Sequence, residues 1–95
     1  MRRAAKVDAN QADIVEALEG IGCSVAVTSW VGKGFPDLVV GYRRTNFMLE
    51  VKDGSKVPSA RRLTPDQERW HSTWRGRVVV VESVDDALRA VGAIV

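Results

Sequence analysis

The chain is predicted to fold as an α/β domain with the element order α-β-β-β-α-β-α, a mixed sheet flanked by helices. Three observations carry that prediction. An amphipathic stripe precedes Gly22, two short apolar runs between Leu38 and Val51 are joined by a polar turn, and a capped helical segment leads into the valine run Val78 to Val81. A length of 95 residues allows one core and not two. Residues 1–9 are read as a flexible basic arm carrying Arg2, Arg3 and Lys6, and residues 10–95 as a single domain.

In the first helix Asn10 is a suitable N-cap and Asp13 falls in the acid-favouring first turn. Ile14, Val15, Leu18 and Ile21 share one face, Glu16 lies off it as an exposed helix-former, and Gly20 and Gly22 supply the stop. Cys23 to Trp30 is β-prone, with Cys23, Val25 and Val27 alternating against Ser24, Ala26 and Thr28. The turn Gly32-Lys33-Gly34 lacks the third glycine and the following helix of a dinucleotide fingerprint, so that reading is rejected. Lys33 is read first as a solvated turn lysine and second as a phosphate contact.

Leu38 to Tyr42 and Phe47 to Val51 form the arms of an antiparallel hairpin across Arg43-Arg44-Thr45-Asn46. A loop follows from Asp53 to Arg62, marked by its glycine, serines and proline. Thr64-Pro65-Asp66-Gln67 then starts a helix, with Thr64 as cap, proline in the first turn and Gln67 where a capping box places it. Trp70 and Trp74, one turn apart, are expected to pack this helix on the sheet, and His71 is expected at the surface. Gly76 ends the helix. Val78 to Val81 reads as a central strand covered on both faces, parallel to the second hairpin arm. Ser83 and Asp86 cap a last helix through Leu88 and Val91.

Composition narrows the function classes. The hydrophobic fraction is 45%, the charged fraction 27% and the formal net charge +2, so the overall field does not announce a polyanion binder. Cations are nevertheless grouped, with Arg43 and Arg44 on the hairpin turn and Lys52, Lys56, Arg61 and Arg62 in or beside one loop. That pattern suits phosphate contacts and an ordinary solvated surface alike. The single Cys23 excludes an internal disulfide and, with one histidine, leaves no Cys/His zinc set. No apolar run approaches membrane-spanning length and the start lacks a signal-peptide core, so a cytoplasmic protein is expected.

Chemistry concentrates on the hairpin. Alternation puts Phe47, Leu49 and Val51 on one face and Met48, Glu50 and Lys52 on the other. Asp37 opens the first arm after Pro36, and the hairpin folds it back beside Glu50 and Lys52. Two carboxylates and an ammonium at one edge suit Mg²⁺, which binds through one or two carboxylates and keeps several waters. A lysine there can orient water or offset charge on a phosphoryl oxygen. The same residues also read as a solvated charge pair on a half-exposed strand.

Gly34-Phe35-Pro36-Asp37, then Glu50-Val51-Lys52, then Gln67 on the following helix resembles the PD-(D/E)XK nuclease signature, in the form seen in stand-alone VRR-NUC domains of phages and bacteria. The resemblance spans about Asn10 to Val84 and implies a restriction-endonuclease-like core. It implies a metal-dependent endonuclease that hydrolyses DNA phosphodiesters, selective for branched substrates such as a Holliday junction or a flap, in repair or recombination. By the same resemblance Asp37, Glu50 and the Val51 carbonyl hold Mg²⁺ or Mn²⁺, Lys52 positions or activates water, and Glu16 and Gln67 assist. Lys33, Arg43, Arg44, Lys56, Arg61 and Arg62 are the candidate DNA contacts. Gln67 has a competing role as helix cap. A homodimer is expected, with Trp30, Val57 and Trp74 as apolar interface material. The rival reading is a DNA-binding or assembly module of the same fold with little catalysis.

Overall fold

The structure, a computed structural model, describes residues 7–95; the basic cluster Arg2, Arg3 and Lys6 of the expected arm lies outside the described residues. The elements run α1 (Gln11–Gly20), β1 (Ser24–Val27), β2 (Leu38–Tyr42), β3 (Thr45–Val51), a 3₁₀ turn (Pro58–Arg61), α2 (Pro65–Thr73), β4 (Val79–Val81) and α3 (Val84–Ala90). The four strands lie in the order β1-β2-β3-β4, antiparallel except for the parallel pair β3 and β4. This is the mixed sheet and element order that the sequence predicts.

The core fills one side of the sheet. Ile14 and Leu18 from α1, Leu38 and Val40 from β2, Leu49 and Val51 from β3, Val81 from β4 and Ala87 from α3 are buried together. Each large aliphatic side chain there contributes roughly 1.5–3 kcal/mol of burial. Every second residue of β3 points away from this core, so Glu50 and Lys52 face the side that α2 approaches.

Several local expectations are corrected. The hairpin loop is Arg43-Arg44 alone, with φ 50 and 65, and Thr45 already pairs with Tyr42. Two positive φ values are what a two-residue hairpin turn needs to match strand twist, even though neither residue is glycine. β1 spans only Ser24–Val27, and as an edge strand it leaves Val27 exposed. Ile21 falls just past α1 and is exposed. The valine run supplies the other edge strand, not a central one, and Val80 is 40% exposed. An unbroken run of valines carries no alternation from which its outward face can be read.

Trp70 and Trp74 are not core residues. No side chain of α2 is fully buried, and Trp74 is 43% exposed. The two indoles stack on one another with centroids 4.5 Å apart, and Trp70 meets Phe35 edge-on at 5.4 Å. The N-terminal end of α2 lies hard against the loop before β2: Gly34, at φ +81, is so close that a Cβ there would collide with the main chain of Asp66 and come within 2.8 Å of the Gln67 nitrogen.

The caps come out differently at the three helices. Thr64 and Gln67 form the full reciprocal capping box, and the Asp86 amide donates to Ser83 Oγ. Asn10 makes no side-chain cap; its amide donates to the Lys52 and Glu82 carbonyls at 3.0 and 3.1 Å, tying the ends of β3 and β4 to the start of α1. Among the described residues no helix is long and apolar enough to cross a membrane.

Candidate active site

The register of β2 and β3 decides which groups meet. Leu38 pairs with Leu49, so Asp37, one residue before β2, stands against the Glu50-Val51 step at the end of β3. The Val51 N–H donates to Asp37 Oδ2 at 2.8 Å and Ser29 Oγ donates to Asp37 Oδ1 at 3.2 Å. Asp37 is thereby held at both oxygens.

Gln67 joins the other two members. Its Nε2 donates to Glu50 Oε2 at 3.0 Å, while its Oε1 accepts from Lys52 Nζ at 2.7 Å and from the Thr64 N–H at 2.9 Å. One amide both caps its helix and contacts Glu50 and Lys52, because the capping box puts N3 of α2 over them. Asp8, Asp37, Glu50, Lys52, Arg62 and Gln67 all line one cleft of about 340 Å³.

Glu50 is only 1% exposed and Lys52 only 7%, which excludes the solvated charge pair. Burial, with the Asp37 carboxylate alongside, pushes the Glu50 carboxyl up to about 9, against a smaller opposing pull from Lys52. Glu50 Oε1 is buried with no hydrogen-bond partner. It faces His71 Nε2 at 3.9 Å, an atom equally buried and unsatisfied. His71 is thus not the surface histidine that the sequence suggests; it lies one turn after Gln67 on the face turned to the sheet.

The remaining predicted residues are scattered. Glu16 is exposed and lines a different groove, bordered also by Val7, Gln11, Val15, Glu19 and Val27, so the structure does not bring it to the cleft. The reason is helical phase: Gln11, Ile14 and Leu18 face inward, and Glu16 points off that side. Lys56 lines the cleft and pairs with Asp8 at 3.4 Å. Arg61 is drawn away to Glu82 at 3.1 Å, leaving Arg62 as the loop arginine that faces the cleft. Lys33 lines a neighbouring groove with Asp66, Arg69 and Trp70. Arg43 and Arg44 sit at the hairpin tip, five residues along the strands from Leu38 and Leu49 respectively and so roughly 17 Å away.

Sequence reasoning missed Asp8, Gln11, Ser29 and His71. Gln11 gave a signal as a polar residue in phase with Ile14 and Leu18, where it is 4% exposed, and His71 gave one by its spacing of one turn from Gln67. Asp8 and Ser29 reach the site through loops, whose path has no periodicity to read.

A divalent metal would suit this donor set. Among the described residues no three His, Cys, Asp or Glu side chains converge as a closed metal cage. Two carboxylates, one with an unsatisfied buried oxygen, and the neighbouring Val51 carbonyl are the hard and incomplete shell that Mg²⁺ or Mn²⁺ tolerates, with positions left for water and phosphate.

The mixed sheet brings an aspartate just before one strand and a glutamate and lysine at the end of the next into one cleft, under a helix that adds a glutamine. A solved structure described as a "VRR_NUC domain" superposes on 86% of this chain and 94% of its own length, with a TM-score of 0.60 and 27% sequence identity. That likeness supports a VRR-NUC domain here, with the restriction-endonuclease-like fold. No family model and no curated protein matches the chain.

Proposed function

We propose that this chain is a metal-dependent endonuclease that hydrolyses DNA phosphodiester bonds, acting on branched substrates such as a four-way junction or a flap. The observation that carries this reading is the junction of Asp37, Glu50, Lys52 and Gln67 in one cleft, with a buried Glu50 oxygen unsatisfied. Asp37, Glu50 and the Val51 carbonyl would hold Mg²⁺ or Mn²⁺. When bound, such a metal acidifies water and neutralises charge on the phosphate.

The chain's own groups do the rest. Lys52 donates one N–H to Gln67 Oε1 and retains two N–H donors for the attacking water or a non-bridging phosphate oxygen. Because Gln67 fixes it from one side, the ammonium does not have to be ordered when substrate arrives. Water adds to phosphorus, the bond from phosphorus to the 3′ oxygen breaks, and a proton goes to that leaving oxygen. The products are a 5′-phosphate and a 3′-hydroxyl.

The working form we propose is a homodimer, whose twofold axis would match the near-symmetry of branched DNA. Trp30, Val57 and Trp74 are exposed at 62%, 65% and 43%, as interface material should be in an isolated protomer. Light scattering over a dilution series tests this; a constant monomer mass with and without DNA overturns it. Incubation with labelled linear and branched DNAs in Mg²⁺ or Mn²⁺ tests the activity. Cleavage lost in Glu50→Gln is the expected result, and no cleavage of any substrate, or equal cleavage by that variant, refutes the reading.

A further inference from the structure

We infer that α1 enters the site through Gln11 and not through Glu16, and that Gln11 and Ser29 are positioning residues that set the Asp37 carboxylate. The inference rests on the reading of Asp37 as a metal ligand. Its basis is a directed hydrogen-bond chain. Ser29 has one hydroxyl proton, and Asp37 Oδ1, 3.2 Å away, is an acceptor only, so the proton goes there. Ser29 Oγ then needs a donor on its other side, and Gln11 Nε2 supplies it at 3.2 Å. The other amide atom, Gln11 Oε1, also lies 3.4 Å from Ser29 Oγ, but in that pairing it competes with Asp37 for the same proton. Donation from Nε2 is the arrangement in which Ser29 bonds Gln11 and Asp37 at once.

Placement of the chain is fixed from both ends. Gln11 is buried in the first turn of α1, on the side that carries Ile14 and Leu18 into the core. Thr28, beside Ser29, clamps the Pro36-Asp37 segment: its hydroxyl donates to the Pro36 carbonyl and its N–H to the Asp37 carbonyl, both at 2.7 Å. With Val51 N–H on Oδ2, the carboxylate is held by main chain on one side and by the Gln11-Ser29 chain on the other. Outer groups of this type orient a metal ligand and typically change metal affinity about 10- to 100-fold when lost.

The test is calorimetric titration of the full chain with Mn²⁺ alone, with thermal unfolding of the metal-free variants in parallel. Ser29→Ala and Gln11→Met should each weaken Mn²⁺ binding about tenfold. The double variant should be little weaker than either single one, because both cut the same chain. Ser29→Thr, which keeps the hydroxyl, should bind like the unchanged protein, and so should Glu16→Ala. A packing role would instead lower the unfolding temperature without this hydroxyl dependence. If Gln11→Met does not fold, the Ser29→Ala and Ser29→Thr pair decides. Unchanged affinity in Ser29→Ala while Asp37→Asn loses binding overturns the inference alone. Unchanged affinity in Asp37→Asn overturns the ligand reading on which it stands.

Discussion

His71 Nε2 and Glu50 Oε1 face each other across 3.9 Å inside the protein without forming an ion pair. Burial, and then the Lys52 charge, lowers the proton affinity of His71, while burial and Asp37 raise that of Glu50 to about 9. Both shifts favour the uncharged form at neutral pH in the metal-free protein. A carboxyl whose folded value lies above its unfolded value binds more protons when native, so stability falls as pH rises. The metal-free protein should therefore lose on the order of a few kcal/mol between about pH 5 and pH 9, and Glu50→Gln should remove most of that slope. Urea unfolding at several pH values measures it, and a flat profile in the unchanged protein contradicts it.

The same protonation predicts how metal binds. A ligand carboxyl that is neutral at pH 7 must release its proton to the solvent on coordination. Calorimetry of Mn²⁺ binding in buffers of different ionisation enthalpy should report about one proton released per site at pH 7, and affinity that rises toward pH 9. Glu50→Gln should release none. Release of no proton by the unchanged protein would mean that Glu50 is not a ligand.

Gln67 and Thr64 separate stability from chemistry. Thr64→Ala removes half the capping box, costs about 1 kcal/mol, and leaves Gln67 free to hold Glu50 and Lys52. Gln67→Ala should cost a similar amount of stability and also slow cleavage roughly 10- to 100-fold, since Lys52 is no longer oriented. Equal cleavage by the two variants, after matching the folded fractions, would reduce Gln67 to a cap.

The loop arginines should behave differently from one another. Arg61 is committed to Glu82, whereas Arg62 lines the cleft. Arg62→Gln should lower the slope of log affinity against log salt for DNA by about one. Arg61→Gln should leave that slope unchanged and cost less than about 1 kcal/mol of stability, as a partly exposed pair does. Identical slopes for both variants and the unchanged protein would put DNA elsewhere.

Much of this was legible in the sequence because it depends on short-range periodicity. The period of two in Phe47 to Lys52 sorts core from cleft, and the Thr64-Pro65-Asp66-Gln67 start fixes where the second helix begins. What was not legible depends on partners distant in sequence. Val80 and the two tryptophans look like core residues by type, yet Val80 and Trp74 are exposed and Trp70 is only half-buried, since little packs over that side of them. Glu16 and Gln11 are both polar residues of one helix. Phase against Ile14 and Leu18 was the usable clue, but it needed the position of Ser29, which no local pattern gives. Arg61 and Arg62 are indistinguishable as a sequence pair, and their fates divide only because Glu82 comes back beside one of them.

Gly34 has no side chain, no charge and no proton to give, yet the approach of the Asp66-Gln67 backbone leaves room there for a hydrogen atom alone. Any larger residue lifts the start of α2, and Gln67 with it, from Glu50 and Lys52. In a randomised library selected for cleavage, position 34 should return glycine as strictly as position 50 returns glutamate. Intolerance to replacement would then mark two kinds of site that a survivor count cannot tell apart, one that holds the reacting groups and one that holds a doorway open for them.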